Sequence, residues 1–184
     1  MKVEIWSDIM CPFCYIGKRR FEQGLAAFEG RNDIEIIWRS YQLMPDLDNV
    51  PKLDAHATLA QKKGISYEQA KEMNQYVTEM AAEVGLSYHM DKAQLANSYD
   101  AHRFAHFAAQ QGMGDQAEEK LFLAYFTEGK NIADHETLVQ LGTELGLDAQ
   151  KTREVLSGDA FTDEVERDIR KAYENGVRGV PFFV

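Results

Sequence analysis

The chain has 184 residues, of which 45% are hydrophobic and 27% charged, a composition typical of globular proteins and unlike that of disordered or fibrous chains. Thirty acidic against twenty basic residues give a net charge of −10 at pH 7. This balance argues against nucleic acid as the main partner, because a nucleic-acid surface needs clustered Lys and Arg. No run of about 18 apolar residues occurs, so the sequence predicts no membrane span.

The first 44 residues predict a strand, a turn with two cysteines, a helix and a second strand. Residues 3–6 form a short segment of high strand propensity. A helical pattern follows over about 15–28, and residues 33–41 are rich in β-branched and aromatic side chains. This order is that of a βαβ unit.

From Pro45 to residue 176 the pattern is helical throughout. Ser66 and Gln69 form a capping-box pattern ahead of an apolar stripe that ends at Val84. Further helices are predicted over residues 93–111, 115–127, 135–145, 149–156 and 160–175. The sequence therefore predicts three segments: a βαβ part over 1–44, a helical insertion over 45–176, and the start of a second sheet part over 177–184.

Residues 177–184 return to strand chemistry, and the sequence ends within that segment. A terminal apolar run such as Phe182-Phe183-Val184 must pair and be covered, since it is otherwise an aggregation-prone edge. We therefore expect the native chain to continue beyond this point.

The only two cysteines, Cys11 and Cys14, flank Pro12 and Phe13 where the first strand meets the first helix. The start of a helix stabilises an anion, so Cys11 is expected to be the nucleophilic thiolate. Cys14, one turn further on, is expected to be more buried and to resolve a mixed disulfide on Cys11. Pro12 suits the first helical position. Phe13 adds no positive charge, so we expect a less oxidising pair than one with a basic residue at this position.

Two alternatives for the cysteine pair remain. Two thiolates together with His102 and His106, which share a helical face, are ligand types that suit zinc, although the gap between the pairs is far longer than in a zinc finger. The other alternative is that the cysteines are merely small buried hydrophobic residues. The position at a helix start favours redox chemistry without a metal over both.

Three segments carry a resemblance to a known family. Residues 7–17, Ser-Asp-Ile-Met-Cys-Pro-Phe-Cys-Tyr-Ile-Gly, resemble the active-site segment of the DsbA-like thioredoxin family, especially its FrnE-like branch. Residues 97–103, Asn-Ser-Tyr-Asp-Ala-His-Arg, are similar to a second FrnE-like signature, and residues 176–181 to the cis-proline loop. The segments follow the family's order along nearly the whole chain.

The resemblance implies an α/β class, with a thioredoxin-like fold and a large all-helical insertion domain. It implies that Cys11 attacks and Cys14 resolves, supported by Pro12 and Phe13. It also implies that Pro181 is cis and packed against the dithiol, with the backbone of Val180 available to pair with a substrate chain. An ordinary edge-strand proline is the alternative for Pro181.

The implied function is that of a protein-disulfide oxidoreductase, with protein thiols and disulfides or glutathione as partners and no required metal or organic cofactor. One alternative is a non-enzymatic redox sensor or binding protein, whose dithiol oxidises but does not turn over protein disulfides. The other is a glutathione-dependent isomerase or transferase, of the 2-hydroxychromene-2-carboxylate isomerase or kappa-class type. In those branches a serine usually replaces the residue at Cys11, so the presence of both cysteines favours redox chemistry.

Residues outside the cysteine motif are weighed separately. Asn97, His102 and Arg103 are candidates for a cleft beside the dithiol, where His102 and Arg103 would bind an anionic group. We prefer His102 packed between helices and Arg103 in a solvated ion pair. Asp8 either relays a proton or fixes its turn, and we prefer the turn. Tyr41, Leu43 and Met44 either line an apolar groove or belong to the core.

The amino terminus has no apolar core of a secretory signal, so we expect a cytoplasmic protein with reduced thiols unless a leader has been removed. The sequence leaves open the substrate, the direction of electron flow and the oligomeric state, a homodimer included.

Overall fold

The computed structural model describes residues 1–184 and begins with the predicted βαβ unit. β1 (Lys2–Ser7) leads through a short turn into α1 (Pro12–Ala26), and β2 (Glu35–Ser40) follows after a single 3₁₀ turn. β1 and β2 are parallel, with Lys2 opposite Glu35 and Ser7 opposite Ser40. The helix begins at Pro12, three residues earlier than expected, because Cys11 already has extended dihedral angles and stands as its N-cap.

Seven helices lie between β2 and the last strand. They are α2 (Ala55–Lys63), α3 (Tyr67–Glu83), α4 (Tyr99–Gln110), α5 (Gly114–Phe126), α6 (His135–Glu144), α7 (Ala149–Ser157) and α8 (Thr162–Glu174). None of the helices is both long and apolar enough to cross a membrane. The capping box at Ser66 is confirmed, since its hydroxyl accepts from the Gln69 N–H while the Gln69 side chain accepts from the Ser66 N–H.

One predicted helix boundary is wrong. The segment 93–98 is not helical, and α4 starts only at Tyr99. Gln94 forms a β-bridge with Asp54, and the Asn97 backbone N–H donates to the Asp48 carbonyl. These contacts with a distant loop satisfy backbone groups that a helix would have used internally, so tertiary structure overrides the local pattern here.

The last strand, β3 (Phe182–Phe183), pairs antiparallel with β1 and gives a three-stranded sheet of order β2-β1-β3. β1 is therefore the central strand, and its carboxyl end opens into the turn that carries the cysteines. The final segment thus returns to the same sheet as the first one, and the predicted α/β class with a helical insertion is confirmed.

A single large core joins the sheet part to the helices. Tyr15 and Ile16 of α1 are buried in one cluster with Phe104 of α4 and Phe122 of α5. On the other side of the sheet a smaller cluster packs beneath α8 and contains Trp6, Tyr41, Ala172 and Val177. Cys11 and Cys14 belong to the large cluster, so the dithiol lies where the two parts of the chain meet.

Candidate active site

The turn between β1 and α1 sets the position of the first cysteine. Cys11 is the N-cap residue of α1, and Pro12 takes the first helical position, where no N–H is needed. The Cys11 backbone N–H donates to the Asp8 carbonyl oxygen at 2.9 Å, which closes the turn. Cys14 then lies one helical turn further on, and both thiols are free.

The two thiols have opposite acidities. A hydrogen bond from the Cys14 thiol, together with backbone N–H groups of Cys14 and Phe13, lowers the pKa of Cys11 below that of an ordinary thiol. Burial raises the pKa of Cys14 well above that value, and the neighbouring Cys11 raises it further. A thiolate is therefore favoured on Cys11 and disfavoured on Cys14.

The predicted cis-proline loop lies directly beside Cys11. The Val180–Pro181 peptide bond is cis, as the resemblance implied. The Cys11 thiol donates to the Val180 carbonyl oxygen at 3.4 Å. Gly17 of α1 permits this close approach, because a Cβ at that position would come within 3.0 Å of Pro181 Cγ. The cis-proline loop therefore contacts the Cys11 sulfur atom through the Val180 carbonyl.

An apolar cleft opens in front of Cys11, with a volume of about 460 Å³. Its floor contains Met10, Cys11 and the half-exposed ring of Phe13. Thirteen of its eighteen lining residues are hydrophobic, with one wall formed by Leu43 and Met44 and the other by α2 and α3. Leu43 and Met44 therefore line the groove considered above, while Tyr41 packs in the cluster beneath α8.

Behind the dithiol lie three buried polar residues, Ser7, Asp8 and His102, which we call the rear of the dithiol. The Asp8 carboxylate accepts from the Leu43 N–H at 2.7 Å and from the Met10 N–H at 3.3 Å, so its preferred role in fixing the turn is supported. His102 points to this carboxylate rather than into the cleft, with Nε2 3.7 Å from Asp8 Oδ1. It packs between helices, as preferred, with its side chain 2% exposed.

Asn97 and Arg103 are not among the residues that line this cleft. Asn97 donates to the carbonyl oxygens of Pro45 and Leu47 and thereby fixes the loop after β2. Arg103 donates to carbonyls at the end of α7, including that of Gly158. Arg103 also pairs with Asp100, and this ion pair is buried rather than solvated. The guanidinium donates to carbonyl groups at the end of α7, which have no N–H partner within the helix.

The structure contains no cluster of three or more His, Cys, Asp or Glu side chains arranged to hold a metal ion. His102 has its Nε2 3.7 Å from Asp8 Oδ1, whereas His106 lies against Ser40 and Asp168. The four ligands considered for zinc are therefore not brought together.

One site residue was not apparent from the sequence. Tyr88, in the loop after α3, donates its hydroxyl to the Pro12 carbonyl oxygen at 2.7 Å. Its ring stacks on Phe126 of α5 and lies parallel to Tyr15 of α1. No local pattern marks this tyrosine, because its partner is 76 residues away in the chain.

A cysteine pair at the start of a helix, with a cis-proline beside the first thiol and a central strand feeding the turn, defines the class of thioredoxin-like dithiol proteins. The chain belongs to the DSBA-like thioredoxin domain family, whose model matches residues 2–184.

Two relatives with higher identity cover nearly the whole chain. A probable DsbA oxidoreductase, SCO1869 from Streptomyces coelicolor, is 39% identical with a TM-score of 0.95, over 100% of this chain and 80% of that one. The uncharacterized protein YwbO of Bacillus subtilis is 28% identical, over 99% of this chain and 85% of that protein.

Two more distant structures share the fold. The cytosolic disulfide reductase DsbM from Pseudomonas aeruginosa, solved alone and with glutathione, has 17% identity and a TM-score of 0.69 without the ligand, over 100% of this chain and 83% of that one. A 2-hydroxychromene-2-carboxylate isomerase has 17% identity and a TM-score of 0.74, over 100% and 85% of the chains. At this identity the likeness shows the fold alone.

Proposed function

We propose that this protein is a thiol-disulfide oxidoreductase that exchanges disulfides with protein substrates through Cys11 and Cys14. The observation that carries the proposal is the opposite surroundings of the two thiols. Cys11 faces the cleft with a lowered pKa, whereas Cys14 lies behind it with a raised pKa. A nucleophile and a resolving thiol need this difference.

The reaction runs through a mixed disulfide. The Cys11 thiolate attacks one sulfur of a substrate disulfide, forms the Cys11–substrate bond and releases the other substrate sulfur as a thiolate. Cys14 then loses its proton and attacks Cys11, which forms the Cys11–Cys14 disulfide and releases the second substrate thiolate. Two electrons pass from the dithiol to the substrate, and the reverse sequence oxidises a substrate dithiol.

The cleft supports a polypeptide substrate with an apolar side chain near its cysteine. Met44, Met73 and Met90 line the cleft, and flexible thioether side chains accommodate apolar groups of different shapes. Lys62 and Lys63 of α2 add positive charge at the same wall and suit a nearby carboxylate. The backbone of Val180, on the other side of Cys11, is the proposed pairing site for the substrate chain.

The proposed reaction requires no metal or organic cofactor. Glutathione is the proposed redox partner, with support from the glutathione complex of DsbM, and the cytoplasm is the proposed compartment, since DsbM is described as cytosolic. In that compartment the thiol pool would hold the pair mostly reduced, which favours reduction or isomerisation of substrates over net oxidation. A measured potential as positive as about −120 mV would contradict the expectation that Phe13 leaves the pair less oxidising than a basic residue would.

Turnover of insulin disulfides by the reduced protein tests the proposal. The wild type is expected to reduce insulin with glutathione or dithiothreitol as electron donor, and Cys11→Ser is expected to abolish the reaction. Cys14→Ser is expected to accumulate a mixed disulfide between Cys11 and the substrate, visible by mass spectrometry. Unchanged insulin turnover in Cys11→Ser would refute the proposed function.

The same variants distinguish the proposed disulfide exchange from the alternative function, that of a glutathione-dependent isomerase or transferase. That activity requires saturable glutathione binding, uses the glutathione thiol as the reacting sulfur and survives the loss of Cys14. A small-molecule isomerisation that persists in Cys14→Ser, with no insulin turnover in the wild type, would establish the alternative.

A further inference from the structure

The outer strand of the sheet, β2, has a free edge. The sheet order is β2-β1-β3, so β2 pairs with a neighbouring strand on one side only. The backbone N–H groups of Glu35 and Tyr41 donate toward β1. Because the direction of the N–H groups alternates along a strand, those of Ile36 and Trp38 point away from β1, and neither has a hydrogen-bond partner. Both are free to pair with another extended chain.

A groove of about 400 Å³ runs along this edge and is lined by every residue of β2. Its other wall comes from α4, α5 and the turn between them, where several residues are small: Ala105, Ala109, Gly112 and Gly114. The six residues of β2 span about 20 Å, which is long enough to pair with a second extended segment. The groove shares no lining residue with the cleft in front of Cys11, so it is a separate site.

The groove contains a buried carboxyl group that lacks a partner. Glu118 of α5 lines the groove and is 3% exposed, and its Oε2 forms no hydrogen bond. Buried polar atoms without a partner are uncommon in folded proteins. Burial, reinforced by Asp115, raises the pKa of Glu118 to about 8, although Lys18 partly opposes this effect. The carboxyl group is therefore available to a hydrogen-bond donor or a cation from outside the chain.

The charges around the groove favour a positively charged ligand. Glu35 at one end is exposed, and Asp115 shares the ammonium group of Lys18 with two other carboxylates. The basic side chains that line the groove, Arg39 and His106, are already engaged by carboxylates outside it. An anionic ligand would thus find no free cation here, whereas a cationic one would find carboxyl groups.

We propose that the free edge of β2 binds an extended, basic polypeptide segment by strand addition. Carbonyl groups of the segment accept from the N–H groups of Ile36 and Trp38, and a lysine or arginine side chain of the segment reaches Glu118. Because main-chain groups supply much of the affinity, the site selects extended chains with positive charge rather than one particular sequence. The site contains neither cysteine, so this binding does not depend on the proposed disulfide exchange.

Amide hydrogen exchange of the wild type, followed by NMR, tests the pairing directly. The probe is a ten-residue peptide without cysteine, in which lysine and threonine alternate. At a saturating peptide concentration the amides of Ile36 and Trp38 are expected to exchange about tenfold more slowly, because the added strand protects them. The amides of Ile37 and Arg39 point toward β1, so their exchange is expected to stay as it is. Unchanged exchange at Ile36 and Trp38 in the saturated protein, or no binding of the peptide at all, would overturn the inference.

A second peptide tests the role of charge. It alternates glutamate and threonine and has the same length, so it offers the same main-chain groups with the opposite charge. We expect it to bind at least about tenfold more weakly than the lysine peptide. Glu118→Gln, which keeps the size of the side chain but carries no charge, is expected to weaken the lysine peptide about tenfold. Equal affinity for the two peptides would contradict the proposed chemistry of the ligand.

A proline tests the main-chain bond. Ile36→Pro removes one outward N–H group and leaves the bonds to β1 in place, a position at which edge strands tolerate proline. We expect it to weaken the lysine peptide about tenfold, whereas Ile36→Ala, which keeps the N–H group, is the matched control and should bind within about twofold of the wild type. Equal binding by these two variants would overturn the inference. Should Ile36→Pro fail to fold, the exchange pattern of the wild type decides.

A second copy of this chain is the competing occupant of the edge. Sedimentation of the wild type without peptide is expected to show a monomer in which the amides of Ile36 and Trp38 exchange fast. A dimer in which both amides are already protected would overturn the inference. Failure of the proposed disulfide exchange has a different signature, since Cys11→Ser is expected to bind the lysine peptide with wild-type affinity whatever its insulin turnover.

Discussion

The side of the dithiol that faces the cleft, which we call the front, differs in side-chain chemistry from the rear of the dithiol. The front is an apolar cleft with methionine and aromatic side chains, whereas the rear is a buried polar group of Ser7, Asp8 and His102. The same residue type, placed one helical turn apart, thus acquires a lowered pKa at Cys11 and a raised pKa at Cys14. The two thiols of the motif are chemically identical in isolation. They differ in acidity here because the fold gives the two sulfur atoms different neighbours.

The largest expected effect comes from breaking the rear. Asp8→Ala leaves the N–H groups of Met10 and Leu43 without their buried acceptor, and is expected to lower the free energy of unfolding by about 3 kcal/mol, measured by urea denaturation. Asp54→Ala is the control, because Asp54 caps α2 at the surface through one N–H and its loss should cost only about 1 kcal/mol. An equal loss of unfolding free energy in the two variants would show that the buried Asp8 stabilises the fold no more than a surface cap residue does.

A charge placed in the front tests the cleft. Met73 lines the cleft but is 41% exposed, so Met73→Glu should fold normally. We expect it to raise the KM for a peptide disulfide with an apolar flank about tenfold, because the carboxylate must be desolvated on binding. The rate at which the dithiol reacts with the small disulfide dithiodipyridine should not change. Tyr76→Glu, exposed on the same helix outside the cleft, is the control, and an equal rise in KM there would argue against the cleft as substrate site.

The smallest expected effect concerns the contact between α1 and the proline loop. Gly17→Ala would bring a Cβ to 3.0 Å from Pro181 Cγ, and the loop must then move by a few tenths of an ångström. We expect a loss of about 1 kcal/mol in a thermal or chemical melt. Gly24→Ala, on the same helix with open space around it, should stabilise the protein by about 0.5–1 kcal/mol. A stabilised Gly17→Ala would show that this contact is loose.

The front could be predicted from the sequence much better than the rear. Cys11, Pro12 and Cys14 are fixed by one helix start, so their arrangement follows from local rules, and the resemblance supplied Pro181. His102 was singled out, but its orientation toward Asp8 depends on how α4 packs behind β1. The bonds of Arg103 to the end of α7 likewise depend on packing, which no spacing in the chain encodes.

Two errors along the helical region have related causes. The sequence pattern does not predict α2 as a separate helix, although Asp54 and Gly64 are cap residues at its two ends. The reason is that its apolar side chains face the cleft and do not form a buried stripe. The segment 93–98 carries helix-compatible residues, but its contacts with distant loops keep it from forming a helix. Both elements border the site, where tertiary contacts outweigh local preference.

The hydroxyl of Tyr88 on the Pro12 carbonyl has a consequence for attempts to make a smaller redox module. Removing residues 45–176 would delete Tyr88, Phe122 and Phe126, which cover the ring of Tyr15, and would remove both α2 and α3 from the cleft wall. The ring of Tyr15, next to Cys14 in the chain, would then be exposed to water. The helices between β2 and β3 therefore shield the surroundings of the dithiol, and a smaller module would have to keep them.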